Sequence, residues 1–303
     1  MTPDEPRHAH HEAGESEPSP VVPSTSAAGS RRRFLLGALG GGAAVGTGFA
    51  IGRNADTWTV GDATPTQLEK RSDAFHGAYG LRPVIWSVPT ATNCVAFTFD
   101  DGPDPEFTPR ILDALAMVDA KATFMMMGWN CVHHPDLVAR VVAEGHEVGN
   151  HTWSHLDLAK VDPATIEWEL RRGRDAVERV SGKAVRYFRP PRGELSGAAV
   201  RYAAAEAQDI LMWTINGGAH LETRSDEVRD HLVQAVKPGY IVDLHDGIGR
   251  GTFEPTAPFA RDLVRKRSLE VAALPSALTE LAQRGVRFLT ITDLLAEPRL
   301  ADP

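Results

Sequence analysis

Only two of the 303 residues are cysteines, and acidic residues outnumber basic ones so that the formal charge is −8. Two cysteines allow at most one disulfide. Cys94 opens one predicted strand and Cys131 lies just beyond the C-terminal end of the next, several residues of about 3.3 Å each away. The two are therefore expected as free, buried thiols, even in an exported chain where disulfides are permitted. Without the first fifty-one residues the charge is still −7, and no extended block of Lys and Arg remains, which argues against nucleic acid as a partner. Segment 1–29 lacks apolar periodicity. It is rich in Pro, Ser, Glu and His and is expected to be disordered, with His8, His10 and His11 solvated rather than bound to metal. What the chain has in quantity is apolar residues, 42% against 24% charged, enough to bury a full core in one or two domains.

Segment 30–51 is of a different kind. Ser30-Arg31-Arg32-Arg33-Phe34-Leu35 precedes an uncharged, glycine-rich apolar run from Phe34 to Ile51, and this resembles a twin-arginine export signal. The resemblance implies the twin-arginine translocation machinery as a partner. It also implies a location outside the cytoplasmic membrane: extracellular, in the cell wall, or anchored facing outward. The run is just long enough to span a bilayer, so a single N-terminal membrane anchor is the alternative to cleavage after Ala50. Residues 52–83 read as a linker and 84–303 as the folded domain.

In that domain short β-rich runs alternate with amphipathic helical ones. The predicted strands are Val95–Phe99, Ala122–Met127, His146–Asn150, Val185–Phe188, Ile210–Ile215, Tyr240–His245 and Val286–Leu289. Between them lie predicted helices over Thr108–Val118, Pro135–Glu144, Pro163–Val180, Gly197–Ala207, Ser225–Val236 and Leu269–Arg284. Strands separated by helices indicate an α/β fold with a parallel sheet, closed as a barrel or doubly wound. Asp100, Asp101, His151, Arg189 and His245 all fall at strand C-terminal ends, the face on which barrels assemble active sites.

His151 and His155 are four residues apart and can bind one metal, completed by a carboxylate from elsewhere. Asp100 and Asp101 end a buried strand. Alternation puts Thr98 and Asp100 on one face and Phe97 and Phe99 on the other, with Asp101 free to swing at the turn. Two adjacent anions raise each other's pKa, a penalty that a divalent cation removes. His146, His133 and His134 read as structural; Trp129, Trp153 and Trp213 read as core residues or as platforms for sugar rings.

These segments resemble the NodB-type polysaccharide deacetylases, carbohydrate esterase family 4. Thr98-Phe-Asp-Asp-Gly102 matches the first family motif, His151-Thr-Trp-Ser-His155 the second, Arg189-Pro-Pro-Arg-Gly193 the third apart from one position, and Leu244-His245 the fifth. The resemblance covers about Val84 to Leu295 and implies a distorted (β/α) barrel of about seven strands. It further implies one divalent ion, zinc or another transition ion such as cobalt, held by Asp101, His151 and His155. Asp100 would be the general base, Arg189 its orienting partner and His245 the general acid, with the oxyanion on a backbone N–H near Arg192, next to Pro191. The implied reaction is removal of N-acetyl groups from an N-acetylglucosamine-containing polysaccharide, peptidoglycan or chitin oligomers. A degenerate glycan-binding homologue and an acetylxylan O-deacetylase are the alternatives.

Two departures stand out. Arg192 replaces the family's usual Tyr, either as a group for an anionic substrate or as a solvated side chain. The fourth motif, close to W-D-x-D-x-x-D-W in the family, keeps Trp213 but none of its Asp residues, with Asn216, Ala219 and His220 in the run. An Asp there would pair with the acid His; Asp243 or Asp246 is the expected substitute, the alternative being that Asp243 pairs with a structural Arg or Lys.

Overall fold

The computed structural model describes residues 82–218, 224–249 and 258–300, within a compact unit that runs from Val60 to Pro303. The segments read as disordered, signal and most of the linker lie outside the described residues. No helix among the described residues is long and apolar enough to cross a membrane.

The strands are β1 Val84–Ile85, β2 Cys94–Asp100, β3 Ala122–Met126, β4 Glu147–Asn150, β5 Tyr187–Phe188, β6 Asp209–Leu211, β7 Ile215–Asn216, β8 Ile241–His245 and β9 Arg287–Phe288. They form one parallel sheet in the order β1-β6-β5-β4-β3-β2-β8-β7, with β9 on β2. β6 lies beside β5 and β7 beside β8, yet only residues 212–214 separate β6 from β7. The sheet therefore curls into the barrel that the sequence leads one to expect. The predicted strand Ile210–Ile215 is split by that bend, and β1 was not anticipated.

The helices are α1 Thr108–Ala116, α2 Gly128–His133, α3 Pro135–Ala143, α4 Pro163–Ser181, α5 Gly197–Ala205, α6 Ser225–Ala235, α7 Pro258–Gln283 and α8 Ile291–Ala296. α4 starts where Asp162 accepts from the Thr165 amide at 2.9 Å with Pro163 in the first turn, and stops at Gly182, φ 65°. α7 begins eleven residues before the predicted helix at Leu269 and carries Pro275 in its interior.

β2 is buried at every position, as expected of a parallel strand covered on both faces. Val95, Phe97 and Phe99 join the large outer core with Phe107, Ile111 and Leu274. Cys94 and Ala96 pack inside the barrel with Met125, Tyr187, Leu211 and Ile241. Both cysteines are free and buried. The register Asp100↔His245 between β2 and β8, and Met126↔Asn150 and Asn150↔Phe188 across β3, β4 and β5, levels the strand ends. Asp100, His151, Arg189 and His245 are thereby gathered on the C-terminal face.

Candidate active site

At the first position after β5, Arg189 sits with no exposed surface among the barrel-facing residues. Its Nη1 donates to Thr98 Oγ1 at 2.8 Å, Asp100 Oδ1 at 2.6 Å and Asp243 Oδ1 at 3.0 Å. Nε and Nη2 donate to the Leu211 and Met212 carbonyls at 3.2 and 3.0 Å. A buried guanidinium is tolerated only when paired and hydrogen-bonded, and this one fixes the carboxylate of Asp100 from behind. Burial and the charge of Asp100 push Asp243 up to about 7, against the pull of His245 and Arg189.

Asp101 takes φ 77°, a left-handed conformation that turns its side chain away from Asp100 and toward the histidines. Its Oδ1 lies 3.5 Å from His151 Nε2 and 3.3 Å from His155 Nε2. That oxygen is buried and accepts no hydrogen bond, while Oδ2 accepts from Arg267 Nη2 at 3.1 Å. His151 Nδ1 is 2.9 Å from the Arg189 carbonyl. A carbonyl can only accept, so Nδ1 carries a proton there and Nε2 is the nitrogen directed at Asp101 and His155. Burial lowers the His155 pKa to about 4 and keeps the ring neutral. Asp101 is held well below the usual carboxylate range because His155, His151 and Arg267 outweigh its burial. One nitrogen from each of two imidazoles and one ionised oxygen at this spacing fit a divalent transition ion with bonds of about 2.0–2.2 Å, although in the ion's absence burial of the His151 ring is outweighed by the carboxylates of Asp100 and Asp101, which raise its pKa. Such an ion would polarise a substrate carbonyl and acidify a water molecule.

The loop bearing these histidines is itself strained, with Thr152 at φ 69° and His155 at φ 63°. A buried carboxylate on α4 fixes it: Glu169 Oε2 accepts from the amides of Trp153 and Ser154 at 3.1 and 2.9 Å, and Oε1 from Ser154 Oγ at 2.7 Å.

Across the cleft stands His245, at the end of β8. Its Nδ1 is 3.2 Å from Glu270 Oε2, which also accepts from the His245 amide at 3.1 Å. Burial and Arg267 oppose a charge on this ring, but Glu270 and Asp243 prevail and raise its pKa to about 9. Asp100, Asp101, His151, His155, Asp243, His245 and Arg267 line one cavity of about 310 Å3, with Trp213, Ile248 and Leu263 on its walls. A carboxylate in position to take a proton and an imidazolium in position to give one thus face the same space.

The polysaccharide deacetylase family model matches residues 87–208. The chain is 35% identical over 218 residues to a peptidoglycan-N-acetylglucosamine deacetylase of Bacillus cereus, covering 70% of this chain and 92% of that protein. It is 32% identical over 206 residues to a chitooligosaccharide deacetylase of Bradyrhizobium, covering 68% and 92%. A solved peptidoglycan N-acetylglucosamine deacetylase superposes with a TM-score of 0.63 at 28% identity, covering 79% of this chain and all of that one. The chain belongs to the polysaccharide deacetylase family.

In this deacetylase the hydrogen bond that the missing fourth-motif Asp would have made to His245 comes from neither expected substitute, although Asp243 does help to raise the His245 pKa. Neither Asp243 nor Asp246 hydrogen-bonds His245. Asp243 is taken up by Arg189, and Asp246 accepts from the Gly102 amide at 3.0 Å and from Thr108 Oγ1 at 2.7 Å. The partner is Glu270, on α7, and the same helix supplies Arg267; both went unread in the sequence. The available signal was two charged residues three apart beside the apolar stripe of a helix, one helical turn that brings both to a single face.

Asn216 turns away from the cleft, its Oδ1 accepting from the Gly218 amide at 3.0 Å; Ala219 and His220 lie outside the described residues. Arg192, φ 59°, lines the cavity, about a third exposed, with Nη1 donating to Asp157 at 3.1 Å. Pro191 is buried beneath it. His146 is structural, accepting from the Ala122 amide at 3.2 Å, and burial lowers its pKa to about 4. His133 ends α2 instead of lying in a loop, and its Nδ1 donates to the Trp129 carbonyl at 2.7 Å. Trp153 is buried against Trp129 and Trp168, away from the cavity lining. Trp213 does line the cavity, and it closes over Gly193, where any β-carbon would come within 2.6 Å of its ring.

Proposed function

We propose that this enzyme removes N-acetyl groups from N-acetylglucosamine residues of peptidoglycan, after export by the twin-arginine route. The observation that carries the reading is the pairing, across one cavity, of a carboxylate fixed by Arg189 with an imidazole kept protonated by Glu270. Asp100 takes a proton from the attacking water. The backbone N–H of Arg192 faces the oxyanion that forms at the carbonyl. His245 gives its proton to the departing nitrogen, and the products are acetate and a free amine. The residues at the divalent-ion site are Asp101, His151 and His155, and zinc suits their two imidazoles and one carboxylate.

The glycan is argued from two features. Segment 30–51 has the form of an export signal, which takes the enzyme to the wall, and Arg192 places a cation at the cavity where family members usually have Tyr. Peptidoglycan offers carboxylates on its lactyl and peptide arms; chitin oligomers and acetylated xylan offer none.

Acetate release by the zinc-loaded protein is the test, with peptidoglycan, N-acetylglucosamine oligomers and acetylated xylan compared. Release from peptidoglycan that is abolished in Asp100→Asn supports the reading. Release from xylan alone would make the enzyme an O-deacetylase, and no release from any of the three, with ion bound, would make the protein a glycan-binding homologue.

A further inference from the structure

We infer that Glu270 is the positioning residue for the acid histidine, a carboxylate that reaches His245 from helix α7 in place of the one missing from the loop after β6. This rests on the proposed role of His245 as proton donor.

Geometry carries the inference. Glu270 Oε2 meets both the amide and the Nδ1 of His245, at 3.1 and 3.2 Å. Two contacts to one residue fix the ring's position and its rotation together. With Nδ1–H donated to a carboxylate, Nε2 is the nitrogen left for a leaving group. Glu270 is 5% exposed, and a buried carboxylate is retained at a cost unless a cation answers it. The loop that would have carried the family's Asp has Asn216 folded back onto Gly218. β7 enters that loop directly beside β8, with Asn216↔Asp243 in register, so the carboxylate has been replaced from the helical layer rather than from the sheet.

The charged groups facing His245 come from three elements. β2 ends in Asp100 with Asp101 on the turn that follows it, β8 contributes Asp243, and α7 contributes Glu270 and Arg267. Among the described residues, Glu270 is the one of these in hydrogen-bond contact with the ring. Arg267, one turn earlier on α7, donates to Asp101 Oδ2 and to the Gly247 carbonyl, 3.1 and 2.9 Å. A single helix face thus supports the acid and one ion ligand at once.

The test uses Glu270→Gln in the full chain, since Gln keeps an oxygen for the His245 amide and removes only the charge. Two readouts are taken: the pH profile of kcat on the best substrate, and the 15N and 13C titration of the His245 ring, with His245→Gln used to assign the signals. The expected result is a basic limb moved at least one pH unit lower, a His245 ring that titrates correspondingly earlier, kcat reduced ten- to a hundredfold at pH 8 and KM unchanged. A basic limb and a ring titration identical to the wild type would overturn the inference. If the variant fails to fold, the wild-type ring decides: titration near the ordinary 6.5 overturns the inference, and titration well above it with Nδ1 protonated throughout supports it. Because the ring titration needs no substrate, an enzyme silent on every glycan would refute the proposed function without touching this result.

Discussion

The two walls of the cavity are built differently. One wall is made of strand ends, where Asp100, Asp101, His151 and Arg189 end or follow β2, β4 and β5, and Asp100 and His151 are held by Arg189 at a neighbouring strand end, with Arg267 reaching Asp101 from α7. The other is made by β8 and one face of α7, where His245 depends on Glu270, 25 residues further along the chain. The strand wall encodes its chemistry in runs of five residues. The helix wall distributes it over two elements, and its orienting groups belong to no run at all.

That contrast can be broken at points of decreasing force. Replacing Asp100 by Asn should leave the barrel intact and lower kcat by about 10³-fold, within the usual range for a lost general base; steady-state acetate release measures it, and a loss under tenfold would remove Asp100 from the role. Arg189→Met should cost activity comparably and stability as well. It strands Asp100 and Asp243 in a buried site, and breaking a buried pair from one side costs about 3–5 kcal/mol; chemical denaturation reads this, and an unchanged midpoint would show that the strand wall does not depend on its guanidinium.

Glu169→Gln should weaken zinc binding about 10–100-fold, as loss of supporting hydrogen bonds around ligands commonly does. Competition with a chelator measures it, and the effect on the acid limb or the basic limb of the pH profile should be nil. The helix wall should respond the other way, to pH rather than to chelator. With a folded pKa of about 9 against an ordinary 6.5, His245 stabilises the fold fully below pH 6.5, and that contribution is lost as pH rises through 9. Wild-type activity should fall over the same upper range, and melting temperatures taken from pH 6 to 10 should show the loss shrink in Glu270→Gln. The smallest effect belongs to Arg192→Tyr: a KM for peptidoglycan raised a few-fold, with N-acetylglucosamine oligomers unaffected.

The strand wall was legible because its proposed ligands and base are local. A metal needs two imidazoles on one short loop, and a base next to a ligand needs adjacent carboxylates, so both appear as contiguous text. The barrel was legible for a related reason: alternating apolar runs and helical stripes recover seven strands, while β1, the separation of β7 from β6, and the six-residue helices α2 and α8 are too short to show a period. Glu270 and Arg267 escaped because the stripe of α7 was read from Leu269, which leaves Arg267 outside and makes Glu270 an ordinary first-turn acid. Asp243 is instructive for another reason. Inward alternation correctly places it inside the barrel with His245, but alternation leaves open whether it serves that ring or a structural cation, and Arg189 takes the hydrogen bond.

Pro275 lies inside α7 and has no amide to bond the carbonyl one turn earlier, a break that commonly lets a helix bend. The helix is held in the outer core on both sides of it, by Val271, Ala273 and Leu274 before and by Ala277, Leu278 and Leu281 after, while Arg267 and Glu270 reach Asp101 and His245 from the first half. One bend in a bolted helix thus sets two reaches at once, so a residue that changed the angle at Pro275 would retune acid strength and ion affinity together, while the barrel that carries them stays as it is.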